Sequence, residues 1–136
     1  MKLEFTNKPT KDSFVIYPVF KNVRLRDAAL NFLVGRLRQN AEFEAKNEQT
    51  FFLFEKVKSM PKKVLLLGLG DPKKINTTEI LNAFGSAAKN AASHSAKKIS
   101  IIFNDDLIPF AQEIAEGIVL GSYNAAPEYK TGEEQK

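Results

Sequence analysis

Several groups of residues in this chain have the types and spacing that could do chemistry. Gly68-Leu69-Gly70-Asp71 follows directly on the apolar run Val64-Leu65-Leu66-Leu67. Four successive apolar residues leave no solvent face, so the run reads as a strand buried on both sides. Its glycines then present bare backbone at the carboxyl edge of the sheet, where α/β proteins place binding sites. Gly68, Gly70 and Asp71 are therefore the candidate lip of a ligand crevice. Asp105-Asp106 closes another apolar run, and paired carboxylates at a strand end can hold a metal or act as acid and base. Lys21, Arg24, Arg26, Arg36, Arg38, Lys56, Lys58, Lys62 and Lys63 form a candidate anion or nucleic-acid patch, whose binding would rest on counterion release and weaken steeply with salt.

Each candidate has a structural counterpart. A dinucleotide fingerprint needs a third glycine at position 73, which is Lys73, and a phosphate loop needs Gly-Lys-Ser/Thr, which the sequence lacks. Without histidines or further acids beside them, Asp105 and Asp106 more simply cap the next helix. The chain has no cysteine and one histidine, His94, so thiolate chemistry and the usual nitrogen ligands are missing together. No partner for a base or ligand is visible for His94, which lies where a helix C-terminus would favour its protonated form. The serine-histidine-aspartate arrangement and the glycine-flanked serine elbow are absent. Phe51, Phe52 and Phe54 read as core rather than as a stacking platform for bases. Residue types and spacing alone describe an α/β domain without a recognisable active site.

The elements that must position these residues follow from periodicity. Residues 2–6 alternate, with Leu3 and Phe5 on one face, and 13–20 are rich in β-branched and aromatic side chains; both read as strands. Pro18 cannot donate to a ladder, so the second strand is expected to be irregular at its end or to lie at an edge. Asp27 caps a helix with Leu30, Leu33, Val34 and Leu37 on one face. A strand over 50–55, the central strand, and a helix from Asn76 to about Ser95 come next, with Asn76 and Glu79 as a capping box. A strand over 98–103 leads to a last helix carrying Ile108, Ala111, Ile114, Ala115, Ile118 and Val119, in which Gly117 and Gly121 permit close approach. This order is that of an α/β domain with a mixed sheet.

At 136 residues the chain is the size of one domain. Residues 1–124 read as that domain and 125–136, polar throughout, as a linker. The net charge of +4 is uneven: 15 basic against 8 acidic residues give +7 over residues 1–75, and 5 against 8 give −3 over 76–136. No apolar run approaches the roughly 18 residues of a membrane span, and the first residues lack the core of a signal peptide, which places the chain in the cytoplasm.

The run Val64 to Gly70, the small-residue helix after it, Ile99 to Phe103, and above all Ala115-Glu116-Gly117-Ile118-Val119-Leu120-Gly121-Ser122-Tyr123 with Tyr129-Lys130-Thr131 resemble the N-terminal domain of leucyl aminopeptidases, the M17 metallopeptidases. Members often carry a glycine-containing stretch after the phenylalanine matching Phe43; here Glu44-Ala45-Lys46-Asn47-Glu48 has none.

The resemblance implies a macro-domain-like, three-layer α/β/α fold with a mixed, mostly parallel sheet. It implies a noncatalytic domain that aids hexamer assembly or regulates access. The catalytic lysine, the carboxylates and two divalent metals, zinc or manganese, would belong to a C-terminal domain, and no residue here carries over as catalytic. The alternative is a stand-alone macro-like module binding a nucleotide such as ADP-ribose, or DNA. No membrane partner is implied.

Overall fold

The computed structural model describes residues 2–53, 60–61, 63–102 and 105–125, with only the helical backbone described for 123–125. Among the described residues, five strands and three helices follow in the order β1 (Lys2–Thr6), β2 (Phe14–Phe20), α1 (Ala28–Gln39), β3 (Thr50–Leu53), β4 (Lys63–Gly70), α2 (Thr77–Ser93), β5 (Lys98–Ile102) and α3 (Ala111–Ala125). A 3₁₀ turn, Asp105–Phe110, precedes α3. The sheet order is β1-β5-β2-β4-β3. β1, β5, β2 and β4 run parallel, and β3 pairs with β4 antiparallel.

The three-layer arrangement follows from which side chains of each strand face which way. Phe14, Ile16 and Phe20 of β2 point with Leu65, Leu67 and Leu69 of β4 toward α2 and α3. Val15, Tyr17 and Val19 point with Val64 and Leu66 toward α1, where Leu30, Val34, Leu37 and Phe43 meet them. A strand covered on both faces can spend no position on polar contact with water, which is why β2 and β4 read as continuous apolar runs. Val64 through Leu67 are each at most 1% exposed.

Two helix caps read from the sequence are present, Asp27 on α1 and the Asn76 half of the capping box on α2, whereas Asp105 and Asp106, expected to cap the last helix, stand in the 3₁₀ turn ahead of α3. Asp27 Oδ1 accepts the Leu30 N–H at 3.1 Å and Asn76 Oδ1 accepts the Glu79 N–H at 2.8 Å. The C-termini of α1 and α2 are closed by Schellman turns without glycine. After α1, the Ala41 and Glu42 N–H groups donate to Arg38 and Leu37 carbonyls, and Ala41 stands at φ 58°. After α2, Ser95 and Ala96 donate to Ala92 and Ala91, with Ser95 at φ 58°.

Gly117 and Gly121 do bring α3 against α2. A Cβ at Gly121 would meet the Gly85 carbonyl at 2.3 Å, and one at Gly117 the Leu81 carbonyl at 2.6 Å. This close crossing turns α3 so that Ile114 and Ile118 are buried, while Ile108 and Val119, expected on the same face, are 56% and 62% exposed. Ile108 belongs to the 3₁₀ turn, whose different residue spacing breaks the helical stripe. The strand expected over 50–55 is seen over Thr50–Leu53; Phe54 and Glu55 lie outside the described residues.

Candidate functional site

The site begins with Pro18. β2 pairs with β4 along its whole length, but with β5 only from Phe14 to Ile16. β2 is thus a central strand and not an edge, and Pro18, which has no N–H to satisfy, stands where the neighbour on one side has already left. A register shift between Val19 and Phe20 completes the irregular end. Where the two strands part, a cavity of about 490 Å³ opens at the carboxyl edge of the sheet. Ligand clefts of this class span roughly 300–1,000 Å³.

Two loops wall this cavity. The β2–α1 loop contributes Val23, Arg24, Leu25, Arg26 and Asp27, and the turn after β5 contributes Asp105 and Asp106. Tyr17, Pro18, Phe20, Met60 and Ile102 form an apolar floor, with Asn7 at the rim. The β2–α1 loop is held by side chains from its own helix: the Leu25 N–H donates to Asn31 Oδ1 at 2.9 Å, and Asp27 caps α1. Tyr17 is 5% exposed, and its oxygen accepts the Asp27 N–H. Burial pushes its phenol above the ordinary value, so it stays neutral at physiological pH. Arg24, Arg26, Asp105 and Asp106 are all exposed at the cavity mouth.

Gly68, Gly70 and Asp71 lie on the other side of β2 and do not line this cavity. Their backbone is covered by the loop between α1 and β3. The Gly68 N–H donates to the Gln49 carbonyl at 2.7 Å, and the Gly70 N–H donates to Ala45 at 2.9 Å. A Cβ at Gly68 would lie 2.2 Å from the Lys46 carbonyl, so glycine is required for the loop to approach. Asp71 Oδ1 accepts the Lys73 N–H at 2.9 Å, turning the chain toward α2. The covering loop holds Ala45 at φ 58° and Glu48 at φ 68°, left-handed positions in the stretch that lacks glycine.

The basic residues divide between two ends of the molecule. Arg24 and Arg26 face the cavity, and Arg24 also meets Arg38 across a neighbouring groove of about 350 Å³ with Asn22 and Asn31. Arg36 stands 6.0 Å from the ring of Phe32 on α1. The Lys21 N–H donates to the Gly70 carbonyl. Lys63 begins β4 at the opposite edge of the sheet, donating to the His94 carbonyl at 3.3 Å. Lys56, Lys58 and Lys62 lie outside the described residues. His94 caps α2, donates from Nδ1 to the Asn90 carbonyl at 2.9 Å and stacks on Phe52 at 4.6 Å.

No group of three or more His, Cys, Asp or Glu among the described residues could hold a metal. Asp105 and Asp106 sit at the cavity, but they lack the further donors that a divalent cation takes. Tyr17 and Pro18 are the site residues that sequence reasoning missed. The signal available was Pro18 itself, inside a strand otherwise too apolar to be an edge.

Compared with known proteins, residues 18–132 match the N-terminal domain of the Cytosol aminopeptidase family. Among individual relatives, the chain is 28% identical over 126 residues to a probable cytosol aminopeptidase of Protochlamydia amoebophila, covering 85% of this chain and 25% of the relative. It is 28% identical over 122 residues to one of Chlamydia trachomatis serovar L2, covering 83% and 24%. It is 30% identical over 113 residues to one of Geotalea uraniireducens, covering 81% and 23%. The chain spans about a quarter of the length of these relatives.

Proposed function

Because this chain belongs to the cytosol aminopeptidase family as its N-terminal domain, we propose that it is the noncatalytic domain of a leucyl aminopeptidase acting in the cytoplasm. The parent would remove N-terminal amino acids from peptides with two divalent metals, zinc or manganese, held by a C-terminal domain. Residues 125–136 would lead toward that domain. The observation that carries this reading is the family match over residues 18–132, in a chain whose described residues offer no metal-donor group. Among the described residues the two-metal chemistry of the family has no donor set to work with, so no step of it is assigned to these side chains.

The role proposed for the chain is assembly, including a homo-hexamer of the parent, or control of access to its active sites. Exposed apolar side chains on the last elements support this. Val119 and Leu120 of α3 and Ile108 before it are exposed on the helix that leads into the linker. Such side chains suit burial against another domain or subunit.

The test is hydrolysis of leucine p-nitroanilide by the 136-residue chain with zinc or manganese added. No hydrolysis above the metal-only blank is expected. Metal-dependent turnover that copurifies with the chain contradicts the noncatalytic reading.

A further inference from the structure

The cavity between β5 and β2 has walls of opposite charge. Arg24 and Arg26 stand on one loop, and Asp105 and Asp106 on the other. Among the described residues the ion pairs are Lys46–Glu44 and Lys98–Glu4, so neither arginine is neutralised by either aspartate. Of the three carboxylates on the lining, Asp27 is engaged at the start of α1, while Asp105 and Asp106 share the cavity with the two arginines without pairing to them, which leaves room for a ligand that bridges them. The floor between them is apolar, from Pro18, Phe20 and Ile102. Tyr17, 5% exposed, belongs to the same floor.

We propose that this cavity binds a small zwitterion, a free amino acid or short peptide with an apolar side chain. Its carboxylate would lie on Arg24 and Arg26, and its ammonium on Asp105 and Asp106. A guanidinium matches a carboxylate in a two-pronged hydrogen bond, and an ammonium carries three donors for carboxylate oxygens. A ligand with only negative charge meets Asp105 and Asp106 unfavourably, and one with only positive charge meets the arginines. The cavity's position where β5 and β2 separate is also where open α/β sheets place ligands. This goes beyond the assembly role and does not depend on it, because it concerns only the chain's own cavity.

The experiment is a ¹⁵N-resolved NMR titration of the chain with L-leucine and with L-leucyl-L-leucine. Shifts are expected at the amides of residues 23–27 and 105–107, with a dissociation constant on the order of 1 mM or tighter. Binding of either compound supports the proposal, the tighter one identifying the ligand's length. N-acetyl-L-leucine, which lacks the ammonium, and L-leucinamide, which lacks the carboxylate, should each bind about tenfold more weakly or worse. The double variants Arg24→Ala/Arg26→Ala and Asp105→Asn/Asp106→Asn should each lose about as much while keeping their far-ultraviolet circular dichroism.

Equal binding of either blocked analogue overturns the zwitterion requirement. Shifts confined to other residues, or none with either zwitterion, overturn the site. ADP-ribose shifting these amides at lower concentration than either zwitterion also overturns the proposal, in favour of a nucleotide.

Discussion

The carboxyl edge of the sheet is built in opposite ways on the two sides of β2. Toward β4 the edge is sealed: the loop at 45–49 lies on Gly68 and Gly70 and bonds to their backbone, and Ser86 of α2 donates to Glu48 at 3.0 Å to hold the loop from outside. Toward β5 the edge is open: the strands part at Pro18, and the loops above carry charges that do not pair across the gap. Glycine at a sheet edge is thus ambiguous evidence for a ligand site. The same bare backbone that lets a phosphate approach also lets the chain's own loop approach, and a cavity marks the place where none of the described residues has done so.

The largest effect should come from forcing the sealed side apart. Gly68→Ala places a Cβ 2.2 Å from the Lys46 carbonyl, a backbone atom that cannot rotate away. The cost should be about 3 kcal/mol or more, read as a lower urea midpoint. A variant as stable as the parent chain would show that the 45–49 loop is not packed on β4.

Next, Ala41→Gly should stabilise by about 0.5–1 kcal/mol, because a left-handed residue in a Schellman turn costs an L side chain what glycine does not lose. Ala41 is exposed, so little packing is lost with its methyl group. An unchanged or lowered urea midpoint would show that this turn, which leads into the sealing loop, is unstrained.

On the open side, Arg24→Ala and Asp106→Asn should each change stability by less than about 0.5 kcal/mol. Both side chains are exposed and outside the ion pairs of the described residues. A larger loss would mean that these charges hold the fold rather than await a ligand.

The smallest effect concerns Glu4 on β1. The Ser100 hydroxyl, donating at 2.9 Å, holds its carboxyl below the ordinary value, and Lys98 at 3.3 Å adds to this. A depressed carboxyl stabilises the fold above its unfolded pKa, and that stability is lost as pH falls through the folded pKa. Ser100→Ala should therefore raise the Glu4 midpoint seen by NMR. Any stability difference traceable to Glu4 should be present near neutral pH and fade in acid. An unmoved midpoint would remove Ser100 as the cause.

Much of the fold was legible because it rests on local chemistry. The caps Asp27 and Asn76, the double-sided burial of Val64–Leu67 and the close approach at Gly117 and Gly121 can each be reasoned from a few neighbouring residues. What was not legible depends on which strands meet. Pro18 spoke for an edge or an irregular end, and only the sheet order shows a central strand that loses one neighbour halfway. Tyr17 looked like one aromatic among several, since its contact with the Asp27 backbone joins residues ten positions apart. Asp105 and Asp106 were legible as a pair but not as facing Arg24 and Arg26, because the two loops converge only when β5 inserts between β1 and β2.

Amide hydrogen exchange across the two sides of β2 tests the contrast most directly. The N–H groups of Gly68 and Gly70, bonded to Gln49 and Ala45, should be protected to a large part of the global unfolding free energy. Those of Arg24 and Arg26, on the exposed loop over the cavity, should exchange with opening free energies near zero. Gly68 and Gly70 exchanging as fast as Arg24 and Arg26 would contradict a sealed β4 side and an open β5 side.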